Sequence, residues 1–122
     1  MAGKIIADTL EHSTAGSIAT NYVVEGSSKA WMQFDATTNI VNESFNTSSL
    51  TDNGTGRHHA NLSNSFTNDN FVHHVASTAS TYNSSIDGGF ISSSLASIRV
   101  RQDNGTQGDT EGCTIHCIGD LA

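Results

Sequence analysis

The sequence contains no proline. Proline removes a backbone donor and is confined to sheet edges, bulges and turns, so its absence leaves the whole chain free to join hydrogen-bonded ladders. Positive charge is scarce: five Lys and Arg stand against twelve Asp and Glu, for a formal net charge of −7 with the histidines neutral. A nucleic-acid surface needs clustered Lys and Arg facing phosphates, and here Arg99 and Arg101 form the closest pair. Nucleic acid is excluded as a partner, and an acidic membrane surface with it. No apolar run approaches the roughly 20 residues of a membrane span, so membrane insertion is not expected. A charged region leading into an apolar signal segment is also missing, and the expected folding compartment is a cytoplasm. Cysteine is limited to Cys113 and Cys117, which excludes a disulfide-rich secreted scaffold. On one strand the two would share a face about 13 Å apart, beyond disulfide reach. A turn would bring them together; otherwise they are two small buried residues of a last strand.

Aromatic residues make up 7% of the chain, charged residues 14% and hydrophobic residues 35%. Ser, Thr and Asn fill the gap at roughly a third of all positions, far above ordinary usage. The 122 residues amount to one domain. Low hydrophobicity with high charge density would indicate disorder, but here charge density is modest and the apolar residues recur in short alternating runs. The composition therefore implies a folded β protein with hydroxyl-rich outer faces, stabilised further by sharing a core with copies of itself.

The segment from Lys29 to Gly56 organises the reading. Ala30, Met32 and Phe34 alternate with Lys29, Trp31, Gln33 and Asp35, the period of a half-buried strand. Ala36 to Asn39 breaks the run, Ile40 to Leu50 resumes it, and Asp52-Asn53-Gly54 supplies hairpin-turn chemistry. Upstream, Met1 to Thr14 reads as an extended arm or as an edge strand of the same domain, and Ser17 to Val24 as a β-branched strand ending at Glu25-Gly26-Ser27-Ser28. Downstream, strands are expected at Arg57–Ser63, Phe71–Val75, Leu95–Arg101 and Cys113–Ile118, with a weak one at Phe90–Ser94. Ala76–Ser85 reads as an exposed strand or a long loop. Turns are expected at Asn68–Asn70, Ile86–Gly89 and Gln102–Gly105. Short strands at regular spacing with Gly, Asn and Asp turns and no convincing helix predict an all-β fold. The expected architecture is a small antiparallel sandwich, jelly-roll-like, over residues 27–122, preceded by an extended N-terminal arm over residues 1–26.

Two sets of side chains invite a functional reading. Trp31 offers a sugar-stacking platform if exposed, and core volume with a satisfied N–H if buried; the shortage of aromatics favours the interior, which Trp31, Phe34 and Phe45 are expected to help close. With Trp31, the turn residues Asp52, Asn53, Asp103 and Asn104 are the candidate ligand contacts. The pairs His58-His59 and His73-His74 form the second set. If their strands are antiparallel neighbours, one imidazole of each pair meets the other across the ladder, an arrangement suited to a transition metal or a charge switch. Partly exposed or hydrogen-bonded sheet histidines are the plain alternative. Asp103, Asp109 and Glu111 lack the spacing of a calcium loop, and no cofactor is called for.

The residues KAWMQFD (29–35), SFNTSSLTDNGTG (44–56), KIIADTLEHSTAG (4–16) and the closing GDLA (119–122) carry a resemblance. Together they resemble a tail-fibre-like family of virion structural proteins from tailed phages of aquatic bacteria, of the cyanophage type. The resemblance implies a place in the virion, contact with other tail or capsid proteins, and a homotrimer. It implies folding in the host cytoplasm before assembly. At Arg57–Ser63 the two histidines depart from the more apolar alternation of such proteins.

A catalytic constellation is missing from the sequence. There is no Gly-x-Ser-x-Gly elbow and no phosphate loop, and no spacing supports Asp35 and Glu43 as a glycosidase pair. A non-enzymatic role is therefore expected: a tail-fibre or tail-tip component presenting the loops at Thr51–Gly56, Asp87–Gly89 and Asp103–Glu111 to a host-surface glycan. A capsid-decoration protein and a free carbohydrate-binding module are the alternatives.

Overall fold

The computed structural model describes residues 6–87 and 91–122. Among the described residues, ten strands and one helix follow in chain order: β1 (Thr9–His12), β2 (Gly16–Ala19), α1 (Thr20–Gly26), β3 (Ala30–Asp35), β4 (Ile40–Phe45), β5 (Thr47–Asp52), β6 (Arg57–Leu62), β7 (Val72–Ser77), β8 (Tyr82–Ser85), β9 (Leu95–Gln102) and β10 (Cys113–Ile118). β1 and β2 form a hairpin on their own. The other eight make two antiparallel four-stranded sheets, ordered β4-β3-β10-β7 and β5-β6-β9-β8. The protein is an all-β sandwich, as the sequence predicted. The expected strand at Phe90–Ser94 is not formed among its described residues; Ser92 makes one isolated bridge to Leu95, and Phe90 lies outside the described residues. The ambiguous Ala76–Ser85 segment divides into the end of β7, a turn and β8.

Alternation decides which face each strand turns inward. Ala30, Met32 and Phe34 of β3 are buried, as are Cys113, Ile115 and Cys117 opposite them on β10. The second sheet answers with His58, Ala60 and Leu62 of β6 and Ala96, Ile98 and Val100 of β9. Phe66, from the β6–β7 connection, closes one end of this core. The interior is built largely from small and medium side chains, so Phe34, Phe66 and Met32 supply much of its volume.

Trp31 and Phe45 were expected to help close the interior. Only their companion Phe34 does so, at 0% exposure, whereas Trp31 lies half-buried on the outer face and Phe45 is 54% exposed. A one-residue change of register would have brought Trp31 inside, but Gln33 and Asp35 would have come with it. Burying that carboxylate and amide without partners costs more than the indole returns.

The second correction concerns Ser17 to Val24, which was expected to be a strand. The strand stops at Ala19, and Thr20–Gly26 is helical. The hairpin partner β1 runs only from Thr9 to His12. Thr20 N donates to Asp8 O at 2.9 Å and Thr20 Oγ1 to Ala7 O at 2.6 Å, and beyond that point no neighbouring strand among the described residues offers carbonyls. A helix then satisfies its own backbone groups, against the strand preference of Tyr22-Val23-Val24.

Strand directions sort the connections to the two ends of the sandwich. The β3–β4, β5–β6, β7–β8 and β9–β10 loops lie at one end, here the loop end. At the other, β3 begins just after α1, beside the β4–β5 and β6–β7 connections and the last residues of the chain. The arm and the β5–β6 and β9–β10 turns therefore stand at opposite ends.

Candidate functional site

The turn residues singled out in the sequence lie at the loop end, in two separate turns, and their polar atoms are used in shaping them. Asp52 Oδ1 accepts from Gly54 N at 2.8 Å, and its Oδ2 accepts from Asn39 Nδ2 at 2.8 Å. These donors hold the Asp52 carboxyl below the usual carboxylate range, the Gly54 N–H contributing most. Asn53 N donates to Arg57 O, and Asn53 Nδ2 lies 2.9 Å from His59 Nδ1. Asp103 Oδ1 accepts from Asn83 Nδ2 at 3.0 Å, while Asn104 Oδ1 accepts from Thr106 N at 2.9 Å. Gly56, at φ +69°, anchors this end: a Cβ there would fall 2.4 Å from Val100 O, and its N–H donates to Asp109 Oδ1 at 2.6 Å. The Asp and Asn side chains of these turns act mainly as turn formers.

The histidine pairs do not meet as expected, because β6 belongs to the second sheet and β7 to the first. His58 points into the core at 0% exposure, with Nε2 2.9 Å from Asn39 Oδ1 and its ring 5.4 Å from that of Phe34. Burial pulls its pKa below the ordinary histidine value, against the opposing pull of Asp52. His59 faces the other way, onto the outer face of the second sheet, and is 4% exposed; burial lowers its pKa as well. His73 turns inward beside Phe71, and burial brings it down to about 4. His74 faces outward and is exposed. Among the described residues, no three His, Cys, Asp or Glu side chains gather as a metal site. Cys113 and Cys117 are both free and buried on one face of β10, where burial pushes their thiols up to about 11 and about 12.

Asp87, expected in a presented loop, is instead a buried anchor at 1% exposure. Arg57 Nε reaches its Oδ2 at 2.7 Å and an Arg99 terminal nitrogen its Oδ1 at 2.6 Å, while Ser97 Oγ donates to its main-chain oxygen at 2.8 Å. Arg57 and Arg99 are cross-strand partners on β6 and β9, so one carboxylate ties the chain after β8 across the outer face of the second sheet. Gly88 and Gly89 lie outside the described residues.

The first sheet carries a different outer face. In register across its four strands stand Phe45, Trp31, His116 and His74. The next row toward the loop end holds Glu43, Gln33, Thr114 and Ala76. Phe45 and His116 were missed by the sequence reading. The spacing of β3 places Trp31 outward, but only the strand order shows that β10 delivers His116 and β4 delivers Phe45 to its two sides. Beside Phe45 lies a cavity of about 410 Å³ lined by Ser28, Lys29, Asn46, Asn64 and Leu121 among others. Compared with known protein families, curated proteins and solved structures, the chain gives no match in any of the three.

Proposed function

We propose that this chain is a non-enzymatic structural component of a phage virion, a tail-fibre or tail-tip subunit that contributes to host-surface attachment. The observation that carries this reading is the arm. Leu10 and Ile18 sit opposite each other in the β1–β2 hairpin and are 46% and 47% exposed; Tyr22 and Val24 are 67% and 60% exposed, and no helix residue is buried. A lone two-stranded hairpin is marginal in water, so apolar side chains held in the open are supported by contact with a neighbour. A homotrimer and adjoining virion proteins are the neighbours the reading calls for. The arm at one end and the polar turns at the other give the polarity of an attachment module. The buried, unreactive thiols of Cys113 and Cys117 accord with a protein that holds position.

Cryo-electron microscopy of the intact particle tests this directly. The chain is expected on the tail in low copy number, with its arm against its neighbours. A high-copy location on the head would replace the reading with capsid decoration, and a free monomer absent from particles would leave a stand-alone carbohydrate-binding module. In solution, full-length protein carrying Leu10→Glu and Ile18→Glu is expected to lose its oligomeric mass in light scattering while keeping its β-sheet circular dichroism.

A further inference from the structure

Phe45 joins the ring row of the first sheet to the neighbouring cavity. The row Phe45, Trp31, His116, His74 crosses four strands, about 14 Å at three interstrand spacings. The cavity walls are held rigidly. Asn46, at φ +53°, donates through Nδ2 to Lys29 O at 3.0 Å and to Asn64 O at 3.2 Å, and its Oδ1 accepts from Asn64 N at 2.9 Å. Lys29 Nζ is occupied by Ser27 Oγ at 2.6 Å and by Val24 O. Ser28 Oγ is buried at the cavity without a hydrogen-bond partner, and Leu121, 41% exposed, adds an apolar wall.

We propose that this row and cavity bind a neutral oligosaccharide of about the length of the row. An aromatic ring accepts the C–H face of a sugar, while hydroxyls and amides beside it accept and donate to the sugar's own hydroxyls. Both kinds of group are present here: rings in the row, and Gln33, Thr114 and Glu43 alongside. Charge selects the occupant. Within the row and cavity the one fixed charge, Lys29, is already engaged by the chain's own oxygens, so the surface offers no unused cation to an anionic polymer. The net charge of −7 also disfavours acidic polysaccharides. The site lies away from the loop end, where Asp52, Asn53, Asp103 and Asn104 are occupied in turns. The inference rests on the attachment reading for the biological source of the sugar, and binding itself is measurable without any particle.

Trp31 is the only tryptophan, so its emission reports on the row directly. Full-length protein is titrated with cellotetraose, maltotetraose, mannotetraose and chitotetraose. A saturable emission change is expected with at least one, weakened at least tenfold in Phe45→Ala at unchanged melting temperature and unaltered in Asn104→Ala. The proposal is overturned if none of the four probes gives a saturable change, or if Phe45→Ala binds like the parent. It is equally overturned if Asn104→Ala abolishes binding, or if the emission change follows protein concentration, as self-association of this face would require. A chain located on a phage tail that fails this titration would lose the site and keep the attachment role.

Discussion

The two sheets turn very different outer faces to their surroundings. The second sheet is covered at its centre by its own chain: Asp87 reaches over Arg57 and Arg99, and His59 beneath is 4% exposed. Across the first sheet, Trp31 is half-buried between an exposed Phe45 and His116, and Val72 on the edge strand is 63% exposed. One domain has thus spent a buried ion cluster on sealing one side and left aromatic surface uncovered on the other. Apolar surface scattered singly needs no explanation, whereas rings aligned across the strands of a sheet are the feature on which the proposed sugar site rests. The difference separates a face whose centre is held by its own ion cluster from one that carries the proposed site.

The largest effect is expected on the sealed side. Asp87→Ala leaves two guanidinium groups without their shared carboxylate and should cost about 3 kcal/mol, in the range for breaking a buried ion pair. Urea unfolding followed by circular dichroism measures it, and a loss below about 0.5 kcal/mol, the level of an ordinary surface change, would show that the cover is ornamental. An intermediate effect is expected from acid. The folded-state pKa values of His58, His59 and His73 are lowered, His73 to about 4 from 6.5. Between those two values the unfolded chain takes up protons that the folded chain refuses, so stability is retained above pH 6.5 and falls as pH drops toward 4. The melting temperature should decline across that window, and His73→Leu should flatten the decline; a parent protein equally stable at both ends would contradict these burial-driven shifts. The smallest effect is expected on the open side. Phe45→Ala should alter stability by less than about 0.5 kcal/mol because the ring already faces solvent. A loss of several times that amount would mean that Phe45 is structural and the comparison false.

Much of the fold was legible in the sequence. The alternation Ala30-Met32-Phe34 against Trp31-Gln33-Asp35 placed β3, and the Asp-Asn-Gly turns at Asp52 and Asp103 placed the β5–β6 hairpin and the end of β9. The inward face was harder to read, because the need for core volume argued for Trp31 while the cost of burying Asp35 argued against it; the polar cost decided. The helix at Thr20–Gly26 was illegible for a different reason: it forms where β2 passes the first residue of its partner β1, a fact about neighbours rather than propensity. At the candidate site, Trp31 was visible, but the row around it is a product of strand order, since residues 31, 45, 74 and 116 become neighbours only once β3, β4, β7 and β10 pair. The histidine pairs misled because adjacency in sequence says nothing about which sheet a strand joins. Asp87 looked like a turn residue by composition, and its two arginine partners lie on other strands.

The contrast between faces is tested most directly by covalent labelling of the histidines with diethyl pyrocarbonate in the native protein, read residue by residue by mass spectrometry. The account predicts rapid modification of His74 and His116 on the open face, slow modification of His58, His59 and His73, and protection of His116 once a bound oligosaccharide covers the row. Early modification of His59, or native protection of both His74 and His116 without any sugar, would contradict it.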